Sequence, residues 1–301
     1  MPSTIDRPAS GLASARTART MAVRLLTRVV AATTLATAVS TTQLSAQVTF
    51  GAVADSARTA PAADERIQYG SAPQQFVELR KPAGAGLHPV VMLLHGGCWL
   101  SQYDLTHLAG AAESMRRAGI ATWTVEYRRV GNDGGGDPGT FDDIRAAFDT
   151  LRAQGASRGL DVSRIALVGH SAGGHLALWL GSERGVTMRG VIGLAAVTDL
   201  AAFVTPTGCG AAVARLLGGA PADVAAAYGA RSPVSRPSPS AGVTLVVGRD
   251  DRTVPRVQAD SYVARFPATR VVEVPGGHFD VVAPWTEAFA TVLAAIVALL
   301  R

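Results

Sequence analysis

Five residues, Gly169-His170-Ser171-Ala172-Gly173, constrain this chain more than any other stretch. They stand between an apolar run, Ile165–Val168, and a helical pattern, Ala172–Leu180. A G-x-S-x-G pattern in that setting turns a strand sharply into a helix. Small residues on both sides of the serine leave room for the turn and lift its hydroxyl clear of the sheet. The N-terminus of the new helix then points at whatever reacts there. The pentapeptide alone is a weak signal, because Gly, Ser and Ala are common. Its place between a strand and a helix is what makes Ser171 a candidate nucleophile.

The surrounding chain supports that setting. From about Gln74, short apolar runs alternate with longer helical stretches, which predicts an α/β fold with a mostly parallel central sheet flanked by helices. The expected strands are Gln75–Leu79, Val90–Leu94, Ala121–Glu126, Ile165–Val168, Gly190–Leu194, Val243–Val247 and Arg270–Val274. Val90–Leu94, Ile165–Val168 and, but for Thr244, Val243–Val247 are continuous apolar runs, as strands buried on both faces require. The expected helices are Leu105–Ala118, Phe141–Ala153, Ala172–Leu180, Val254–Phe266 and Pro284–Leu300. Residues 199–241 break the alternation with two short helical patterns, Ala211–Leu217 and Ala222–Tyr228, and a Pro- and Ser-rich stretch. They read as a small cap-like insertion that could cover a site. Gly131–Gly139 reads as a flexible surface turn, because it lacks the strand–loop–helix spacing of a phosphate cradle.

Charge is uneven along the chain. Arg7, Arg16, Arg19, Arg24 and Arg28 against Asp6 give residues 1–46 a net +4 of the total +5. The rest is nearly neutral and has no cationic stripe, so a nucleic-acid partner is not expected. The basic start, the apolar stretch Val29–Val39 and the small residues at Leu44-Ser45-Ala46 read as a secretory signal, with cleavage near Ala46 and Met21 as an alternative start. The stretch is too short and Thr-rich for a membrane span. The chain thus divides into a leader (1–46), a linker rich in Ala, Ser, Thr and Asp (47–73) and a catalytic domain (74–301), in a periplasmic or secreted protein. Its two cysteines, Cys98 and Cys209, either pair, as an oxidising compartment allows, or remain buried thiols. Neither spacing indicates a metal site.

Three further segments complete a candidate site. His95-Gly96-Gly97-Cys98-Trp99 follows the strand Val90–Leu94. A Gly-Gly loop there exposes backbone amides, so the N–H groups of Gly97 and Cys98, with that of Ala172, are expected to hold a developing oxyanion. Gly248-Arg249-Asp250-Asp251 follows Val243–Val247 and offers a carboxylate to orient a base. Asp251 is preferred to Asp250, and Asp199 is a rival. Gly276-Gly277-His278-Phe279-Asp280 follows Arg270–Val274. Of the six histidines, only His278 lies downstream of both serine and acid at a strand end. His95 is expected to brace the Gly-Gly loop and His175 to be structural. His88 and His107 fall in surface segments. Trp99 and Tyr103 could line a substrate pocket or simply pack. The chain order Ser171, Asp251, His278 is one of three common serine-triad orders.

His95-Gly-Gly-Cys-Trp99, Glu126-Tyr127-Arg128, Gly169-His-Ser-Ala-Gly-Gly-His-Leu-Ala177, Asp251-x-x-Val-Pro255 and Gly277-His-Phe-Asp280 together resemble α/β-hydrolases of the esterase/lipase superfamily. The likeness is nearest to the branch holding kynurenine formamidase-like and feruloyl-esterase-like (BD-FAE) proteins. It runs from about Gln74 to Arg301. It implies an α/β-hydrolase fold and hydrolysis of carboxylic esters, or of activated amides such as formamides, without metal or organic cofactor. The leader tilts the reading toward an exported esterase acting on a small molecule. Two alternatives stand beside it: an amidase or arylformamidase on the same machinery, and a catalytically silent binding protein on a hydrolase scaffold. The sequence carries no signal for an oligomeric state.

Overall fold

Runs that are apolar at every position need cover on both faces, and here they form the middle of an eight-stranded sheet. The computed structural model describes residues 47–301; the expected leader, 1–46, lies outside the described residues. The strands are β1 (Glu65–Gln68), β2 (Phe76–Arg80), β3 (His88–Leu94), β4 (Ala121–Val125), β5 (Leu160–His170), β6 (Gly190–Leu194), β7 (Gly242–Gly248) and β8 (Arg270–Val274). Their order across the sheet is β1-β2-β4-β3-β5-β6-β7-β8. β1 and β2 pair antiparallel, as do β2 and β4, and every other pairing is parallel. All five residues of β4 and of β6 are buried.

The helices are α1 (Phe50–Ala57), α2 (Ala109–Arg117), α3 (Gly139–Gln154), α4 (Ala172–Gly181), α5 (Leu200–Phe203), α6 (Ala211–Leu217), α7 (Ala225–Arg231), α8 (Val257–Arg265) and α9 (Glu287–Leu300). They cover both faces. One apolar cluster gathers Ile144, Phe148, Leu176 and Trp179 against one side of the sheet. A second gathers Met115, Phe289, Val292 and Ile296 against the other. Among the described residues, no helix is long and apolar enough to cross a membrane.

The strand order creates the crevice. From β3 the chain steps to β4 on one side, then returns to β5 on the other side of β3 and proceeds outward through β6, β7 and β8. Ligands of open α/β sheets bind at such a switch, outside the carboxyl ends of the strands. The register brings the key segments level there, since Leu94 of β3 pairs with Gly169 of β5. The loop that begins at His95 therefore rises beside the turn that carries Ser171.

Three expectations need correction. Residues 47–73 are not a featureless linker. Thr49 caps α1 by accepting the N–H of Ala52 at 3.2 Å, and Val53 and Ala57 bury against the body of the protein. β1 then adds an edge strand in which Ile67 alone is buried. Gly131–Gly139 is not simply a loose turn: Gly136 and Gly139 are buried, and Asp137 pairs with Arg231 of α7 at 2.7 Å. The second short helix of the 199–241 insertion runs from Ala225 to Arg231, three residues later than the pattern indicates.

Candidate active site

Ser171 links the last residue of β5 to the first of α4 with φ 56° and ψ −118°. A side chain other than glycine in that region costs about 1–3 kcal/mol and persists only where its surroundings enforce it. Here they do. The Ser171 N–H donates to Leu194 O at the end of the neighbouring β6, 2.8 Å away, and Ser171 O accepts from the His175 N–H. A Cβ on Gly173 would strike the carbonyl oxygens of Leu94 and His95, so that position has to be glycine. Among the described residues the Ser171 hydroxyl makes no hydrogen bond, and the residue lines a cavity of about 470 Å³.

His278 lines the same cavity. Its Nδ1 lies 2.8 Å from Asp251 Oδ2. Asp251 is aimed in turn by its own loop, because Oδ1 accepts the N–H groups of Thr253 at 2.8 Å and Val254 at 2.9 Å. The two loops are pinned together where Asp250 N–H donates to Gly276 O. Asp250 itself is exposed. Asp199 is engaged elsewhere, capping α5 through the N–H of Ala202. No hydrogen bond joins the Ser171 hydroxyl to His278; in hydrolytic sites such contacts commonly tighten only as substrate binds.

The neighbouring histidines are held neutral. Burial drives the His170 imidazole well below its ordinary pKa, and the neighbouring His278 pushes the same way. Its Nε2 donates to His278 O at 2.9 Å, so His170 positions the backbone of His278. Burial lowers His107 to about 4. His107 is not on the surface, as its sequence context indicates, but lines the cavity with its ring 6.2 Å from that of His170.

The His95–Trp99 loop forms the opposite wall. Gly97 and Cys98 line the cavity and adopt φ 108° and φ 54°. A Cβ on Gly97 would collide with Tyr103. A buried polar cluster fixes this loop from behind. Tyr127 donates from its hydroxyl to His95 O at 2.8 Å and stacks on the imidazole at 4.4 Å. Arg129 contacts His95 Nε2 at 3.1 Å and pairs with Glu126, whose other oxygen accepts the N–H of Leu105. Burial would raise the Glu126 carboxyl, but His95, Arg129 and the Leu105 N–H outweigh it and leave its pKa lowered.

Of the two expected pocket residues, Tyr103 lines the cavity and Trp99 does not. Trp99 is fully buried, with its indole N–H donating to His175 Nδ1 at 3.2 Å. Its φ of 56° turns the side chain into the core beneath the loop. Sequence reasoning missed Phe50, His107 and Phe279 as lining residues. For Phe50 a signal existed, since Phe50, Val53 and Ala57 follow Thr49 at helical spacing.

Cys98 and Cys209 are joined, with Cα atoms 5.0 Å apart and a sequence separation of 111. The bridge ties the His95–Trp99 loop to the insertion, and both cysteines line the cavity. Closing a loop of that length stabilises by about 5 kcal/mol in the chain-entropy treatment. At about 2–4 °C per kcal/mol for a chain of this size, Cys209→Ser is expected to lower the melting temperature by about 10–20 °C. Melts with and without reductant check this: reductant should lower the wild-type midpoint and leave that of Cys209→Ser unmoved.

The BD-FAE family profile matches residues 78–266. The chain belongs to the BD-FAE family. It is thereby an α/β-hydrolase of the esterase/lipase superfamily, with the matched segment running from β2 to the end of α8. A probable isoprenylcysteine alpha-carbonyl methylesterase of Oryza sativa subsp. japonica is 34% identical over 114 residues, 37% of this chain and 26% of that protein. The match thus spans about a quarter of the length of that relative. A truncated carbohydrate esterase from gut microbiota superposes with a TM-score of 0.69 at 19% identity, covering 80% of this chain and 97% of its own. Esterase B from Lactobacillus Rhamnosis gives 0.68 at 21% identity, covering 83% and 90%. At such identities these two are likenesses of fold. In this BD-FAE chain α1 and β1 lie ahead of the matched segment.

Proposed function

We propose that the chain hydrolyses carboxylic esters through an acyl-enzyme on Ser171, with His278 as base and Asp251 as its orienting acid. The observation that carries this is the 2.8 Å bond between His278 Nδ1 and Asp251, on an imidazole that shares one cavity with Ser171. A proton fixed on Nδ1 leaves Nε2 free to accept another. His278 takes the Ser171 proton as the oxygen bonds to the carbonyl carbon. The oxyanion that forms is held by the N–H groups of Gly97, Cys98 and Ala172. The carbon–alkoxy bond then breaks, and the leaving oxygen takes its proton from His278. Water, deprotonated by the same imidazole, releases the acid and restores the serine. Each amide donor is worth about 2.7–4 kcal/mol of barrier when aimed at the oxyanion.

The cavity favours uncharged substrates. None of its lining residues is Asp, Glu, Lys or Arg, and burial keeps His107 and His170 neutral. The esterase names of the relatives support esters over amides. The Cys98–Cys209 bridge supports export to an oxidising compartment.

A fluorophosphonate probe and a paired rate measurement test the reading. The wild-type chain is expected to be labelled at Ser171 and to cleave p-nitrophenyl acetate at least tenfold faster than the matching aryl formamide. Preference for the formamide would move the assignment to an amidase. Failure to label would leave a binding protein on a hydrolase scaffold.

A further inference from the structure

The residues that enclose the cavity do not all come from the segment matched by the family. Phe50, the first residue of α1, lines it together with Ser171 and His278. Its ring centroid lies 5.2 Å from that of Tyr103, 5.5 Å from His107 and 5.8 Å from Phe279. Tyr103 backs the Gly97 loop, and Phe279 follows the candidate base. The ring therefore bridges the two walls between which a bound ester must lie.

The segment is fastened to the loops that carry the chemistry. Val48 N–H donates to Asp280 Oδ2 at 3.2 Å, and the same oxygen accepts Gly277 N–H at 2.9 Å. Gln47 Nε2 donates to Asp250 O at 2.9 Å, next to Asp251. Thr49 caps the helix, and Val53 and Ala57 anchor its far end in the core. Held at both ends, α1 presents Phe50 at a fixed height over the cavity.

We propose that Phe50 is a specificity-determining residue, and that this N-terminal segment limits the substrate to esters with compact uncharged groups. This rests on the serine-hydrolase reading above. The physical reason is space. A ring that touches Tyr103, His107 and Phe279 occupies volume that a longer chain would need. An added methylene that finds apolar space gains about fourfold in binding, and one that meets the ring gains nothing.

The test compares kcat/KM for p-nitrophenyl octanoate and acetate in the wild type, Phe50→Ala, Phe50→Leu and Phe50→Trp. The octanoate-to-acetate ratio is expected to rise at least tenfold in Phe50→Ala, to rise by less in Phe50→Leu, and to fall in Phe50→Trp. A purely structural role for α1 would lower both esters by one factor and leave the ratio unchanged. That outcome in an active enzyme overturns this proposal alone. Phe50→Leu, which keeps an apolar side chain at the helix start, gives the same reading if Phe50→Ala does not fold. A wild-type chain that cleaves neither ester and takes no fluorophosphonate label overturns the hydrolase reading, and this proposal with it.

Discussion

Ser171→Ala is expected to lower kcat/KM for p-nitrophenyl acetate by about 10⁴–10⁶-fold and to leave the melting temperature within a degree or two of the wild type. The first half follows from the chemistry. Alanine has no oxygen to form the acyl-enzyme, and the amides of Gly97, Cys98 and Ala172 can then assist only direct attack by water. The second half follows from local structure. Alanine keeps the Cβ and pays the same strain at φ 56°. The hydroxyl makes no hydrogen bond among the described residues, so its removal orphans no partner. A substitution of that kind falls within about 0.5 kcal/mol. The paired measurement is a progress curve and a melt on the same preparation. Activity kept above about a tenth of wild type would remove Ser171 from the chemistry. A large fall in the melting temperature would instead mean that the serine supports the turn.

The central sheet could be read from the sequence because its strands are self-identifying. Val90–Leu94 and Ile165–Val168 are apolar at every position and Val243–Val247 at all but Thr244, and such runs have nowhere to go but a covered sheet. β1 and α1 escaped for the opposite reason. Glu65–Gln68 buries one side chain of four, which leaves no alternation to detect, and α1 is two turns of mostly small residues whose anchors emerge only from contacts distant in sequence. The site divides in the same way. Ser171, Asp251 and His278 each sit at the carboxyl end of a strand, so their positions are local facts. Trp99 and His107 are decided by packing. A φ of 56° sends Trp99 inward, and His107 is drawn under the site by rings from residues 50, 95 and 170. The pairing of Cys98 with Cys209 depends likewise on how the insertion folds back over β3, a matter of tertiary geometry that spacing does not encode.

Asp251→Asn tests the hydrogen-bond logic rather than the identity of the nucleophile, and it is expected to cost about 10³–10⁴-fold in kcat/KM. Size and shape are unchanged, so the effect must come from the proton. Oδ1 of Asp251 accepts two N–H groups, from Thr253 and Val254. An asparagine keeps those bonds only if its oxygen takes that side. Its NH₂ then faces His278 Nδ1 at the place of Oδ2, 2.8 Å away in the native chain. Two donors cannot share that contact, so the imidazole shifts its proton to Nε2, the atom that has to accept from Ser171. The opposite amide orientation would restore the imidazole but set the NH₂ against two backbone N–H groups, leaving at least the part-buried Val254 N–H unpaired at about 1–3 kcal/mol. The inactive tautomer is therefore the cheaper state. Asp250→Asn is expected to change the rate by less than about threefold, since that side chain is exposed and its fixed contact is made by the backbone oxygen. Asp199→Asn should also leave most of the rate, because asparagine caps α5 nearly as well. Steady-state rates for the three variants decide the matter. Small, equal losses at 250 and 251 would take Asp251 out of the proposed mechanism, and a large loss confined to Asp199→Asn would transfer the role to β6.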